Sequence, residues 1–478
     1  MSFGSTSEKE CSNIFITKWS HVTGERLEPK FYSSIYEENI NRLESADFPL
    51  VNLKDITTLI SDGTHHTPSY TNSGVKFVSV KNVRKSFINL EKTKFISEQE
   101  ADELDKRCKP KNGDVLLTKI GTYGYASVVK STERFQLFVS VALLRPKKVV
   151  LSDFLEIFLN SNLAYLQYHR VVKGSGVPDL HLEDIRKIKM PLPDLKNQKR
   201  VSEYYFKKLD ESRNKEKEAN RLIESIDDIL MKELGIPFIE QNEASNTNKM
   251  YFKNFSEVSQ GRFDPLYHLG GIYTLLDKST YPIVTLNSVI SSLQSGFAAG
   301  KDEQSSLKED IVQIRPTNIS NEREFVFDKN VYIDRIKLEP HKKDLLKKGE
   351  LLFNNTNSQE LVGKTILFDL EGDYFSSNHI TRVKFKKDHD GRFYSHLFNC
   401  YQRNKVFFTL CTNWNNQSGI SNDVLKNVKI PLIPLSEQVR IVGVIDRIRD
   451  KAKALKKEAD SILDLTFKEV EQMILKDM

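Results

Sequence analysis

The sequence has no apolar run approaching the roughly 18 residues that a membrane-spanning helix needs. Its start, Met1-Ser2-Phe3-Gly4-Ser5, has neither the basic nor the apolar block of a signal peptide, so a cytoplasmic location is expected. Cysteine is scarce. Cys11, Cys108, Cys400 and Cys411 contain no CxxC pair and no metal-ligand spacing, which points to free thiols in a reducing compartment. A large excess of one charge is missing too: 71 Lys and Arg against 65 Asp and Glu leave +6, which permits nucleic-acid binding without establishing it. At 478 residues, 39% hydrophobic and 28% charged, the chain can bury several cores and still carry long exposed helices.

Catalytic constellations are equally absent. Gly363-Lys364-Thr365 ends like a phosphate-binding loop, but the first glycine of that motif falls on Ser358, which leaves a strand start. Gly174-Ser175-Gly176 has Asp179 where a dinucleotide fingerprint needs its third glycine, so it reads as a turn. His65 and His66 are adjacent, with no Cys or carboxylate at ligand spacing. Asp179 and Glu183 precede no Glu-x-Lys, and no Asn-Pro-Pro-aromatic motif occurs. A noncatalytic chain with no cofactor and no metal is expected.

What is present is a long charged helix in mid-chain, expected over 197–234. At about 1.5 Å per residue it reaches about 57 Å. Alternating four- and three-residue steps from Tyr205 visit Leu209, Ser212, Glu216, Ala219, Ile223, Ile226 and Leu230. From Ile441 the same steps visit Ile445, Ile448, Ala452, Leu455, Ala459 and Ile462. An apolar period of 3.5 residues in a charged background is a coiled-coil seam, because it holds one narrow stripe towards a partner helix. Gly235 and Pro237 end the first helix.

The chain is also internally duplicated. Arg26-Leu27-Glu28-Pro29 matches Arg262-Phe263-Asp264-Pro265 at 262 − 26 = 236. Phe48-Pro49-Leu50 matches Tyr281-Pro282-Ile283 at 281 − 48 = 233. Gly113-Asp114-Val115-Leu116-Leu117 matches Gly349-Glu350-Leu351-Leu352 at 349 − 113 = 236, and Gly174-Ser175-Gly176-Val177 matches Gln417-Ser418-Gly419-Ile420 at 417 − 174 = 243. Lys189-Met190-Pro191-Leu192 matches Lys429-Ile430-Pro431-Leu432 at 429 − 189 = 240. Ordered matches at nearly constant offset mean two copies of one unit. In the first copy, β-branched and aromatic runs predict strands near 76–83, 114–118, 126–130 and 136–145, then helices near 152–160 and 162–172.

This order of short motifs, repeated and joined to heptad helices, resembles the specificity (S) subunit of type I restriction–modification systems over nearly the whole chain. The resemblance implies an α+β protein: two α/β target-recognition domains in pseudo-two-fold arrangement, separated by two long antiparallel coiled-coil helices. The divisions are 1–196 for the first recognition domain, 197–235 for the spacer helix and 236–258 for a linker. The second recognition domain follows at 259–435 and a C-terminal spacer helix at 436–478. It further implies no catalysis by this chain. Each domain would read half of a split double-stranded DNA target, and the helices would set the gap. Two modification (methyltransferase) subunits would dock, joined by restriction (endonuclease/translocase) subunits. A noncatalytic, protein-binding coiled-coil scaffold is the alternative.

Residue chemistry suggests where DNA would be met. Lys and Arg neutralise phosphates, while Asn, Gln and Arg bond to base edges. In the first half the candidates are Lys81, Asn82, Arg84 and Lys85 past a strand, Lys119, Thr122 and Tyr123 in a Gly-flanked turn, and Ser175. In the second they are Arg315 and Asn318, set against Lys81 and Asn82, with Asn354, Asn355, Asn357, Asn413, Asn415 and Gln417 in polar loops. Past Ala459 the apolar stripe shifts to Leu463, Phe467, Val470 and Ile474, expected to face either a partner subunit or the chain's own recognition domain.

Overall fold

The computed structural model describes residues 28–174, 176–237, 254–255, 275–307, 310–335, 342–414 and 417–477. The chain forms two compact units: residues 1–216 together with 456–478, and residues 217–455. Most of the 236–258 linker and the Arg262–Pro265 motif lie outside the described residues.

In the first unit a four-stranded antiparallel sheet runs in the order Thr57–Asp62, Val141–Pro146, Val115–Thr118, Ala126–Val128. A second sheet runs Phe135–Leu137, Val75–Val78, Lys94–Ile96, Tyr70–Thr71, with the first pair parallel. The signature strand Val115–Thr118 is buried along its whole length, which its unbroken apolar run requires. The helices Ser152–Asn160 and Asn162–Val171 occupy the predicted places. Two predicted strands are each broken by a turn: 76–83 becomes Val75–Val78 and Val83–Arg84, and 136–145 becomes Phe135–Leu137 and Val141–Pro146.

The second unit repeats the plan. One sheet runs Ile290–Ser295, Ile380–Phe385, Leu351–Asn354, Thr365–Leu367, and the other runs Tyr374–Ser376, Ile311–Ile314, Val331–Ile333, Gln304–Ser305. Again only the pair involving the chain-later strand is parallel. Thr365 opens a strand, in line with the strand-start reading of Gly363-Lys364-Thr365. A three-stranded sheet of Thr356–Asn357, Gln417–Gly419 and Thr412–Trp414 is matched in the first unit only by isolated bridges, in which Asp179 pairs with Ile120 and with Lys173.

The long helices run Leu195–Glu233 and Leu435–Leu475. In the first unit Ser212 Oγ donates to the Ala459 carbonyl at 3.0 Å and Lys215 Nζ lies 2.8 Å from Glu458, while Tyr204 donates to Glu469. In the second unit Lys451 lies 3.3 Å from Glu218, and Arg440 pairs with Glu233. Rising numbers meet falling ones, so within each unit the segments are antiparallel. The bond to Ala459 explains how the seam tolerates a buried serine. Tyr205, Leu209, Ala219, Ile226 and Leu230 are buried as the period requires, but Ile223 is 41% exposed. An α-helix drifts about 20° per heptad against a 3.5 repeat, and the neighbouring Leu222 is half-buried.

The helix ends are part of the cores. Val201, Tyr205, Val470 and Ile474 join the first unit's core, and Ile441, Ile445, Leu230 and Leu234 join the second's. These are the same positions twice: 441 − 201, 445 − 205, 470 − 230 and 474 − 234 all equal 240. Of the two expected destinations of the shifted stripe, a partner subunit or the chain's own recognition domain, the packing fits the second. Val470 and Ile474 are fully buried, and Leu463 and Phe467 pack on the same core.

Candidate nucleic-acid interface

Each unit's loops hang on a point where two backbones touch. A Cβ on Gly63 would lie 1.9 Å from the Leu137 carbonyl oxygen, and one on Gly296 2.0 Å from that of Ser376. Only glycine fits at either place, and the offset, 296 − 63 = 233, equals that of the preceding strand-opening motif. Sequence reading passed over both glycines, although that shared offset was the available signal.

The first predicted cluster lies on a duplicated turn. Asn82 Oδ1 accepts the Ser79 N–H at 3.0 Å, and its Nδ2 donates to the Lys92 and Asn89 carbonyls at 2.9 and 3.3 Å. Asn318 Oδ1 accepts the Arg315 N–H at 2.9 Å, and its Nδ2 donates to the Val326 carbonyl at 2.9 Å. Both amides are buried and fully engaged in closing the turn, so they shape the loop and have no free edge to offer a base. The counterpart of Arg315 is therefore Ser79, not Lys81. Lys81 and Arg84 are exposed beside the turn. Lys85 is engaged elsewhere: its ammonium stands 5.0 Å over the Phe467 ring and 3.4 Å from the Asn160 carbonyl, and burial lowers its pKa.

The second cluster follows the signature strand. The Lys119 N–H donates to the Ser140 carbonyl, whose side-chain Oγ accepts the Val80 N–H, so the turn and this loop meet at Ser140. The Lys119 carbonyl accepts the Leu180 N–H, as the Asn355 carbonyl accepts the Ile420 N–H. This aligns Gly419 with Asp179, at 240 rather than the 243 inferred from the Gly-Ser-Gly motif. The chemistry at this shared position differs between the units. In the first, Lys119 Nζ lies 3.3 Å from Asp179 and 3.7 Å from Asp62, which also pairs with Arg107 at 2.5 Å and His65 at 3.3 Å. In the second, neutral groups replace them. Asn355 Nδ2 donates to Thr381 Oγ1 at 2.9 Å, Thr381 Oγ1 donates to Asn422 Oδ1 at 3.2 Å, and Ser295 Oγ stands 3.3 Å from Thr381.

The remaining predicted residues divide by exposure. Thr122, Asn413 and Gln417 are exposed, and Asn357 and Arg315 are half-buried. Tyr123 is half-buried and stacks on Tyr165 at 6.1 Å and 1°, which itself stacks on His169 at 5.6 Å. Burial and the hydrogen bond with Tyr165 raise the Tyr123 phenol pKa. Asn354 and Asn355 are buried: Asn354 donates to the Leu361 carbonyl and Asn355 to the Asn378 carbonyl. Lys119 is also buried, at 4% exposure, beneath the loop rather than on it. Ser175 and Asn415 lie outside the described residues.

Among the described residues no group of three or more His, Cys, Asp and Glu side chains is placed to hold a metal ion, and no helix is long and apolar enough to cross a membrane. Cys108, Cys400 and Cys411 are buried and none is in a disulfide among the described residues, and burial pushes the Cys108 thiol up to about 12.

Comparison with known proteins follows the same division of the chain. Residues 46–224 and 278–463 each match the type I restriction modification DNA specificity domain. A putative type I restriction enzyme MjaX specificity subunit of Methanocaldococcus jannaschii is 28% identical over 116 residues, 24% of this chain and 27% of that protein. The EcoBI specificity subunit of Escherichia coli is 26% identical over 129 residues, 27% of each chain. The chain thus spans about a quarter of the length of these curated relatives. Among solved structures, the HsdS subunit of Thermoanaerobacter tengcongensis is 13% identical with a TM-score of 0.37, covering 90% of this chain and 97% of that one. With both halves of the duplication matched to one domain family, the chain belongs to the type I restriction modification DNA specificity family.

Proposed function

We propose that the chain is the DNA-binding specificity subunit of a type I restriction–modification assembly, and that it has no catalytic activity of its own. Each unit reads one half of a split duplex target through its loops, and the helix pair sets the gap between the halves. Duplex major-groove faces recur about every 34–36 Å, so two readers need a stiff spacer, because a flexible tether averages over spacings. Two modification subunits methylate adenine in the bound target, and restriction subunits join them to cleave unmodified DNA.

One observation carries this reading. The two units share turns, glycines and strand order, yet differ at the loop position where the ion-paired Lys119, Asp62 and Asp179 of one have Asn355, Ser295 and Gly419 as their counterparts in the other. Constant framework with divergent polar loops is what two readers of different sequences need. In the first unit Lys81, Arg84 and Thr122 are the exposed candidates for contact, and in the second Asn413 and Gln417. Mapping methyladenine across the genome of cells with and without this chain tests the proposal. Loss of one split motif is expected, and an unchanged methylation map would overturn it.

A further inference from the structure

Trp414 is 49% exposed on the hairpin formed by Thr412–Trp414 and Gln417–Gly419. The far edge of its indole rests on Gly419: a Cβ at that glycine would lie 2.7 Å from Cη2 and 3.4 Å from Cζ2. Gly419 is not among the glycines with positive φ, so its missing side chain serves the ring rather than the turn. The ring is seated along one edge while about half of its surface stays open. Cross-strand pairing places Gln417 opposite Trp414, and Thr412 and Thr356 on either side of Gly419. Opposed residues share a sheet face, so the open indole is ringed by hydrogen-bonding side chains rather than by apolar ones. In the first unit the matching stretch is held by isolated bridges instead, Asp179 pairing with Lys173 and with Ile120.

We propose that Trp414 is a base-stacking platform of the second unit, receiving on its open face a nucleobase of that unit's half-site at a step where the duplex stack has opened. This rests on the DNA-reading function proposed above. A paired base inside a duplex hides both faces, so the contact forms only where a base leaves the stack, and Gln417 lies beside it to bond the base edge. Aromatic side chains stack on any base, since every base has a π-face. The platform therefore adds affinity and favours easily opened steps.

The test uses the full chain assembled with its modification subunits and duplexes of the mapped target. Trp414→Ala is expected to weaken binding about 5- to 160-fold, the range that loss of one base–aromatic stack gives. Trp414→Phe should keep most of the affinity, and Gly419→Ala, which unseats the indole without removing it, should fall between. A mismatch that pre-opens one step of the second half-site should strengthen binding by the wild type and not by Trp414→Ala. Wild-type affinity in Trp414→Ala, or equal losses in Trp414→Ala and Trp414→Phe, overturns the platform while leaving the DNA-reading function intact. No retention of any duplex by the wild-type assembly overturns both.

Discussion

Arg382 grips Glu350 across two strands of the second unit's sheet, with Nε at 3.1 Å and Nη2 at 2.9 Å from the carboxylate oxygens and both side chains 7% exposed. Arg382 also donates to the carbonyls of Asp344 and Leu345, and Glu350 accepts the Lys347 N–H. Asp114, the same signature acid in the first unit, is held by Arg145 with two bonds of 2.8 Å. The arginines are not counterparts. Leu144 pairs with Val115 and Val383 with Leu351, so Lys384 stands where Arg145 does, and Arg382 reaches from two residues along on the same face. The acid has kept its place while the residue supplying its cation has moved.

Removing one partner of a buried pair strands the other charge, at a cost of about 3–5 kcal/mol. Arg382→Met should lower the unfolding free energy of the second unit by that order, read from its urea midpoint and slope, and the double change Arg382→Met with Glu350→Leu should recover most of it. Arg145→Met should cost less, because its side chain is 29% exposed. A double variant as unstable as the single one would show that packing, not stranded charge, sets the loss.

Acid should destabilise the second unit through His396. Burial, followed by the nearby Arg449 and Arg403, pushes this imidazole down to about 3. Asp390 opposes them and Arg392 adds to them, while Asp446 stands 3.9 Å away. An unfolded histidine titrates near 6.5, so between about 6.5 and 3 the unfolded chain takes up a proton that the folded one refuses. Stability is then full above about 6.5 and declines as pH falls. Unfolding titrations at pH 7.5 and 5 should diverge in the wild type and converge in His396→Gln. Parallel slopes in both proteins would remove His396 as the cause.

Buried and exposed loop amides should fail differently. Asn355→Ala leaves the Asn378 and Thr381 partners unmatched, so it should cost about 1–3 kcal/mol of stability while the folded protein keeps its base preference. Gln417→Ala should leave stability alone and relax discrimination at one base position by about 1–3 kcal/mol, read on duplexes bearing single changes. Lys81→Ala should weaken every duplex alike and lower the salt slope by about one.

Lengthening both long helices by one turn at matched positions should change the gap tolerated between half-sites and leave each half-sequence unaltered. Methylation mapping of cells carrying the variant reads this directly. Equal modification at every gap length would end the spacer account.

Much of this architecture was legible in residue order. The 236-residue offset of Gly113 and Gly349 located two copies of one sheet, because a fully apolar strand after a left-handed glycine has few other readings. Gln198 and Gln438, with 438 − 198 = 240, play one part twice: both are buried, and each accepts a backbone N–H, from Leu151 and Asp390 respectively. The site was less legible. Asn82, Asn318 and Asn355 look like readers of DNA in sequence, since an amide that closes a turn and an amide that faces a base have the same letter. Val470 and Ile474 looked like a spare stripe only because the count was carried along one helix; their counterparts Leu230 and Leu234 sit 240 residues earlier. Trp414 was hidden for another reason, since its seat on Gly419 exists only once two strands pair.

The second unit is one unbroken stretch of chain, whereas the first is assembled from residues up to 216 and from 456 onward. Val470 and Ile474 fill its core, and the Asp47 N–H donates to the Leu475 carbonyl. During synthesis the first unit therefore waits with an open flank until the second has been made and residues 456 onward emerge. A ribosome that stalls just after residue 455 leaves the second unit whole and the first without the segment that fills its core, so a late break in the chain damages the unit that was begun earlier.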